Sequence, residues 1–203
     1  MALKNLKLAG ALAVAAVTLP ASVYATTANV DATARFLDAL VLNAVAMDFG
    51  TVEFAAAPAG GDTATLGTNG VINYAGNFAG SGTGTAGQVQ ITSGADGETV
   101  EVFCDTTATM VEGVGLTATI DVVAIEVVSE TTGPQAPGSG SACGGVGAVT
   151  PATTMVLDIG GGTADTFFLG GQIDGATASG FVAGTYSTAN AGGDDIQVDI
   201  NYQ

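Results

Sequence analysis

The 203-residue chain has no histidine and no tryptophan, and only three cationic side chains oppose its 19 carboxylates. Two of the three, Lys4 and Lys7, lie in the first 25 residues. Residues 26–203 therefore carry Arg35 alone against all 19 acids, a net charge of −18. Each scarcity excludes chemistry. Nucleic-acid affinity comes largely from Lys and Arg neutralising phosphates, and here the field repels a phosphate backbone. A polybasic membrane patch is excluded for the same reason. General acid–base and nucleophilic catalysis usually recruit His or a depressed Lys, and a serine hydrolase lacks its base. Two cysteines without histidine supply too few ligands for a structural zinc site. A glycosidase needs only two carboxylates, but no Trp and four Tyr make a poor sugar-stacking surface. No reaction is declared, and the expectation is a protein that is not an enzyme and carries no cofactor.

What is present begins with an address. Lys4 and Lys7 precede an apolar run from Leu8 to Leu19; Pro20 ends it, and Val23 and Ala25 stand at −3 and −1 of a cut. This is the pattern of a secretory signal peptide cleaved after Ala25. The apolar run is about a dozen residues, short of the ~18 that a spanning helix needs, and no later stretch is apolar enough to span a bilayer. The expected destination is the cell surface or the extracellular space, reached via the periplasm, with residues 26–203 forming one domain. In that oxidising compartment the even cysteine count implies a disulfide between Cys104 and Cys143.

Helical periodicity is almost absent after residue 25, whereas period-two alternation recurs. Val30, Ala32, Ala34 and Phe36 alternate with Asp31, Thr33 and Arg35. Met47–Val52 reads as a second strand. Val89 and Ile91, the turn Gly94-Ala95-Asp96-Gly97, then Val100 and Val102 read as a hairpin, since Gly tolerates positive φ. Thr117–Val128 is rich in β-branched residues and favours strand over helix. Met155–Ile159 and Phe167–Ile173 follow, and Ile196, Val198, Ile200 and Tyr202 alternate with Gln197, Asp199 and Asn201 at the end. Gly/Ala/Thr/Ser stretches such as 75–87 and 131–147 separate them as loops. Eight or so short strands of this kind predict an all-β, antiparallel sandwich.

Two motifs invite a site. Asp158-Ile159-Gly160-Gly161-Gly162-Thr163-Ala164-Asp165 is close to the phosphate loop of actin-like ATPases, whose glycine amides cradle phosphate. The likeness spans eight residues, with no second phosphate loop and no Lys to touch a phosphate, so a Gly-rich turn between strands is preferred. Calcium is the cation the composition admits, with Asp96, Glu98, Asp194 and Asp195 as candidate ligands. Neither pair reproduces the spaced Asp/Asn ligands of a known calcium loop, and solvated acidic turns are preferred.

Three pieces together carry a resemblance. Val30–Phe36 with Leu42 and Met47-Asp48-Phe49-Gly50-Thr51-Val52 is similar to an "A-x-A-x-V … L-D-F-G-x-I" opening. Val89–Val102 with its Gly94–Gly97 turn is similar to a "V-T-G-x-x-G" hairpin. Leu169-Gly170-Gly171-Gln172-Ile173, Gly184-Thr185-Tyr186 and Ile196–Tyr202 are similar to a "V-G-G-x-L … G-x-Y … V-x-V-x-Y" ending. The pattern resembles the bacterial domain-of-unknown-function family 4402 and, more loosely, spore-coat-U-type pilins of chaperone–usher fibres. About ten residues separate Tyr186 from Ile196 where pilins usually run on directly, and the cysteines sit mid-chain. The resemblance implies an immunoglobulin-like sandwich that works as a fibre or coat subunit and associates with itself or with related surface subunits. A periplasmic chaperone and an outer-membrane assembly pore would be its further partners. Val30, Ala32, Ala34 and Phe36 are then expected to fill the groove of a neighbouring subunit, beside the strand Ile196, Val198, Ile200 and Tyr202. The competing expectation is a self-contained surface binding module, such as a calcium-dependent adhesin.

Overall fold

A computed structural model describes residues 34–35, 37–161 and 164–203. The chain divides into two units, Met1–Arg35 and Phe36–Gln203. The fold below is that of the second. The expected domain start at residue 26 and the strand residues Val30, Ala32 and Phe36 lie outside the described residues.

No α-helix occurs among the described residues. The strands are β1 (Val41–Val45), β2 (Val52–Phe54), β3 (Thr63–Leu66), β4 (Ile72–Ala75), β5 (Phe78–Gly80), β6 (Gly87–Ser93) and β7 (Thr99–Cys104). They continue with β8 (Ala108–Glu112), β9 (Thr119–Ser129), β10 (Ser141–Ala142), β11 (Thr153–Val156), β12 (Asp165–Ser179), β13 (Tyr186–Ser187) and β14 (Val198–Tyr202). A large sheet runs β1-β6-β12-β9-β8-β13, with β10 also on β9 and the β3–β4 pair also on β12; a small sheet runs β11-β7-β14, and β2 pairs β5. Every pairing is antiparallel. The arrangement is consistent with a β-sandwich. Ile91, Phe167 and Val127 of the large sheet join Val100, Val102 and Ile200 of the small one in a single buried cluster. Burying a side chain the size of Phe167 contributes about 1.5–3 kcal/mol.

The long strand β12 is the spine. Along one side it pairs with β9; along the other it pairs first with β6 through Leu169 and then with β3 from Gly171. Gly170 marks that handover. A Cβ there would stand 2.5 Å from the Leu66 carbonyl oxygen, so the backbones approach this closely only because the side chain is absent. In β9 the alternation changes phase. Ile120 and Val122 are buried, then Ile125 and Val127 are. Ala124, at φ 48°, is the extra residue, and the pairing with β12 shifts between Gly170 and Gln172. This β-bulge keeps both halves of one long strand facing the core.

Cys104 and Cys143 are disulfide-bonded with Cα atoms 5.1 Å apart, as the even count implies. Cys104 ends β7 in the small sheet. Cys143 follows β10, and its amide donates to the Ile125 carbonyl of the large sheet at 2.9 Å. The bond staples the two sheets.

Two local expectations change. The turn at Asp96-Gly97 is present, with Gly97 at φ 78°. The strands it joins do not form a hairpin, however: β6 pairs β1 and β12, while β7 pairs β11 and β14. The turn crosses from one sheet to the other. Met47–Val52 is not one strand either. Asp48 makes an isolated bridge to Thr85 and the pairing with β5 begins only at Val52, because the chain bends through Gly50 at φ 61°.

Candidate binding groove

The first strand of the large sheet is unusual in its burial. All five residues of β1 are exposed, including Val41 (51%), Leu42 (43%) and Val45 (38%). Among the described residues β1 pairs only with β6, and β14 pairs only with β7. The end of β14 lies at the entry of β1, and the start of β14 shares a cavity with the end of β1, so the two run in opposite directions. At one end the Tyr202 hydroxyl donates to the Asp38 carbonyl (2.8 Å) and accepts from the Ala95 amide (2.6 Å), bolting the end of β14 to the entry of β1. At the other end Ala44–Met47 and Asp195–Val198 separate around a cavity of about 520 Å³.

A second cavity of about 370 Å³ adjoins it, sharing Met47, Phe49, Met110 and Tyr186. Val89, Val122 and Leu169 contribute to the first; Ile120, Ile173 and Phe54 contribute to the second. The second ends in an aromatic set. Phe181 meets Phe54 edge-on and stacks with Tyr186, each pair with ring centroids 5.0 Å apart. The Tyr186 hydroxyl donates to the Val182 carbonyl at 2.9 Å and accepts its amide at 3.0 Å, which fixes this wall. The result is a long, mainly apolar trough that also presents Gln88, Ser187 and Thr188 in its larger half and Asp48 and Thr185 in its smaller one; Asp195 is the one carboxylate lining the larger half.

Of the residues singled out by sequence, Val198, Ile200 and Tyr202 form β14. Ile196 lies just before it and lines the groove. Ala34 is exposed and outside any strand. Of the wall built from Met47, Phe49, Met110 and residues 181–189, the sequence marked Met47, Phe49 and Gly184-Thr185-Tyr186, but only as strand or motif residues and not as parts of one wall. It is assembled from segments far apart in the chain.

The acidic candidates lie on separate loops. The Asp96 carboxylate accepts the Gly160 amide at 3.2 Å in the β6–β7 turn, and the Glu98 carbonyl accepts the Leu157 amide at 2.8 Å. The Asp194 amide donates to Thr109 at 3.0 Å, and Asp195 faces the groove. Among the described residues no group of three or more His, Cys, Asp or Glu is placed to hold a metal ion. The Gly-rich loop is a link from β11 to β12. Asp165 is buried, and its carboxylate accepts the Asp158 amide at 2.9 Å. Glu130 beside it accepts the Thr166 amide at 3.0 Å. Burial, followed by the hydrogen bond to Asp165 and the charges of Asp165 and Asp158, pushes the Glu130 carboxyl above the ordinary carboxylate range.

Two other buried acids organise turns. Asp62 accepts the amides of Asn77 (2.7 Å) and Ala59 (2.9 Å), and Glu112 accepts those of Gly115 (2.5 Å) and Val114 (2.9 Å). These backbone donors favour the ionised forms, so both carboxyls are held below the usual range. No family model, curated protein or solved structure matches the chain.

Proposed function

We propose that this chain is an exported, non-enzymatic structural protein, a pilin-like subunit of a surface fibre or coat built by β-strand addition. In this reading Met1–Ala25 is the cleaved signal peptide and the domain is immunoglobulin-like. The observation that carries it is β1, an edge strand with three large apolar side chains exposed, bordering a mainly apolar groove lined on its other side by Asp195, Ile196 and Val198 at the start of β14. Natural proteins usually blunt such an edge with Lys, Pro or a bulge. Residues 26–203 contain no Lys, neither β1 nor β14 contains Pro, and the β1–β6 pairing shifts register only at its start, between Val41 and Leu42. Strand addition needs backbone groups to pair with and pockets for alternate side chains. The groove offers both, and Val30, Ala32, Ala34 and Phe36 are the apolar set that would fill it.

The test is Ala32→Asp with Ala34→Asp. Placing two carboxylates in an apolar groove costs several kcal/mol. The variant should lose the high-mass species seen by sedimentation and electron microscopy of exported protein, while its β circular-dichroism spectrum stays unchanged. A wild type that is monomeric at every concentration and salt would overturn the reading. The self-contained binding module, with this groove as its binding surface, would replace it.

A further inference from the structure

The trough beside β1 is closed at one end and open at the other, and one phenol makes the difference. We propose, resting on the strand-addition reading above, that Tyr202 is a latch. Its hydroxyl holds the entry of β1 shut against the small sheet, and its release admits a strand from a second copy. Three segments meet at this hydroxyl. It belongs to the last residue of β14, donates to the Asp38 carbonyl just ahead of β1, and accepts the Ala95 amide of the turn that crosses between the sheets. The turn comes this close because Gly94 has no side chain: a Cβ there would stand 3.0 Å from both the Tyr202 hydroxyl and Leu40 Cδ2.

The other bonds of β1 stay on the large-sheet side. Its residues pair with β6, the Thr92 hydroxyl donates to the Val41 carbonyl at 3.2 Å, and the Asn43 side-chain amide donates to Gln90 at 3.2 Å. Just after β1, Asp48 and Thr85 exchange both backbone bonds. Among the described residues, the Tyr202 contact is thus the one hydrogen bond from residues 38–45 to β7, β11 or β14. Packing does not pin the strand either. All five residues are exposed, and the register with β6 shifts between Val41 and Leu42, the stretch nearest the latch. A strand with so little buried belongs to the part of a fold that opens locally. At the far end Ala44, Val45 and Met47 line a cavity together with Ile196 and Val198, and among the described residues no hydrogen bond joins the two sets. A strand from a second copy enters there, and the Tyr202 phenol bars its advance along β1 until its two hydrogen bonds break.

The experiment compares the wild type with Tyr202→Phe, which keeps the ring and removes only the hydroxyl. Amide hydrogen exchange is read below the concentration at which the wild type assembles, and assembly is read by sedimentation. Losing two hydrogen bonds should raise exchange across residues 38–45 about tenfold, while β9 and β12 keep wild-type rates. The variant should also assemble at about tenfold lower protein concentration, since the wild type must give up the same bonds to assemble. Unchanged exchange in residues 38–45 overturns the latch, and so does a rise shared equally by β9 and β12, which is general loosening. A local rise without easier assembly overturns its gating role. In each of these cases a wild type that assembles, beside an Ala32→Asp/Ala34→Asp variant that does not, leaves strand addition standing. Wild type and Tyr202→Phe that both stay monomeric at every concentration and salt overturn the two together.

Discussion

Replacing Cys104 and Cys143 with Ala removes the bond between the two sheets, and its cost follows from where that bond sits. The closed loop spans 39 residues and contains β8, β9 and β10. In the chain-entropy treatment, opening a loop of this length releases about 4 kcal/mol of unfolded-state restriction. The Cα separation of 5.1 Å falls in the unstrained range, so little native strain offsets that loss. Both sulfurs lie in the buried cluster, and Ala leaves small voids that add to the cost. A loss of about 4 kcal/mol is a large share of the 5–15 kcal/mol that holds most domains together. In urea, with a slope near 2 kcal/mol per M, the midpoint should fall by about 2 M. Reduced wild type should unfold at or slightly above the variant's midpoint, since both lack the constraint but the two thiols still fill the space that Ala leaves empty. A midpoint shift below about 0.5 M in both would refute the view that this bond constrains the two sheets. The variant should keep its β circular-dichroism spectrum below the transition.

Three carboxylates shape the pH profile. Glu130 has its folded-state pKa raised. Its ionised form therefore opposes folding at neutral pH, and the penalty lifts as pH falls through that raised value. Glu130→Gln should stabilise at pH 7 by no more than about 1 kcal/mol, since solvent reaches this carboxylate, and the gain should vanish on mild acidification. A destabilised variant would contradict the assignment. Asp62 and Glu112 act oppositely. Their pKa values are lowered, so the stability they contribute is present above the ordinary carboxylate range and lost as pH falls through their folded values. Stability should peak on the acidic side of neutrality, and Asp62→Asn should flatten the falling limb; a steady decline from pH 7 downward would count against this. The net charge predicts that melting temperature and assembly rise between low salt and about 0.5 M, as the Debye length drops well below 10 Å. A flat response would show that self-repulsion is unimportant.

The sequence by itself determined the all-β class of the fold and which cationic and imidazole side chains the chain can bring to any site. Period-two alternation at Val89–Ile91, Val100–Val102 and Ile196–Tyr202 is local, so those strands could be read directly. The absence of histidine and the single Arg35 hold in any conformation. The cysteine pair was legible because only one pairing exists. The connections between the sheets were not. Asp96-Gly97 reads as a hairpin turn, yet it carries the chain between sheets, because whether two adjacent strands pair depends on which distant strands compete for their edges. β12 and β1 take β6, and β11 and β14 take β7. The phase change at Ala124 is equally non-local, since it lets β9 satisfy a core whose other members lie far along the chain. The groove was the least legible feature. Its walls come from segments far apart in the chain, among them Val45–Phe49, Val89, Met110, Ile120 and Val122, Leu169 and residues 181–189 and 195–198, with no shared pattern. Local alternation sets which way each side chain points along its own strand, but which two edges are left facing each other is decided only when all the sheets compete for partners.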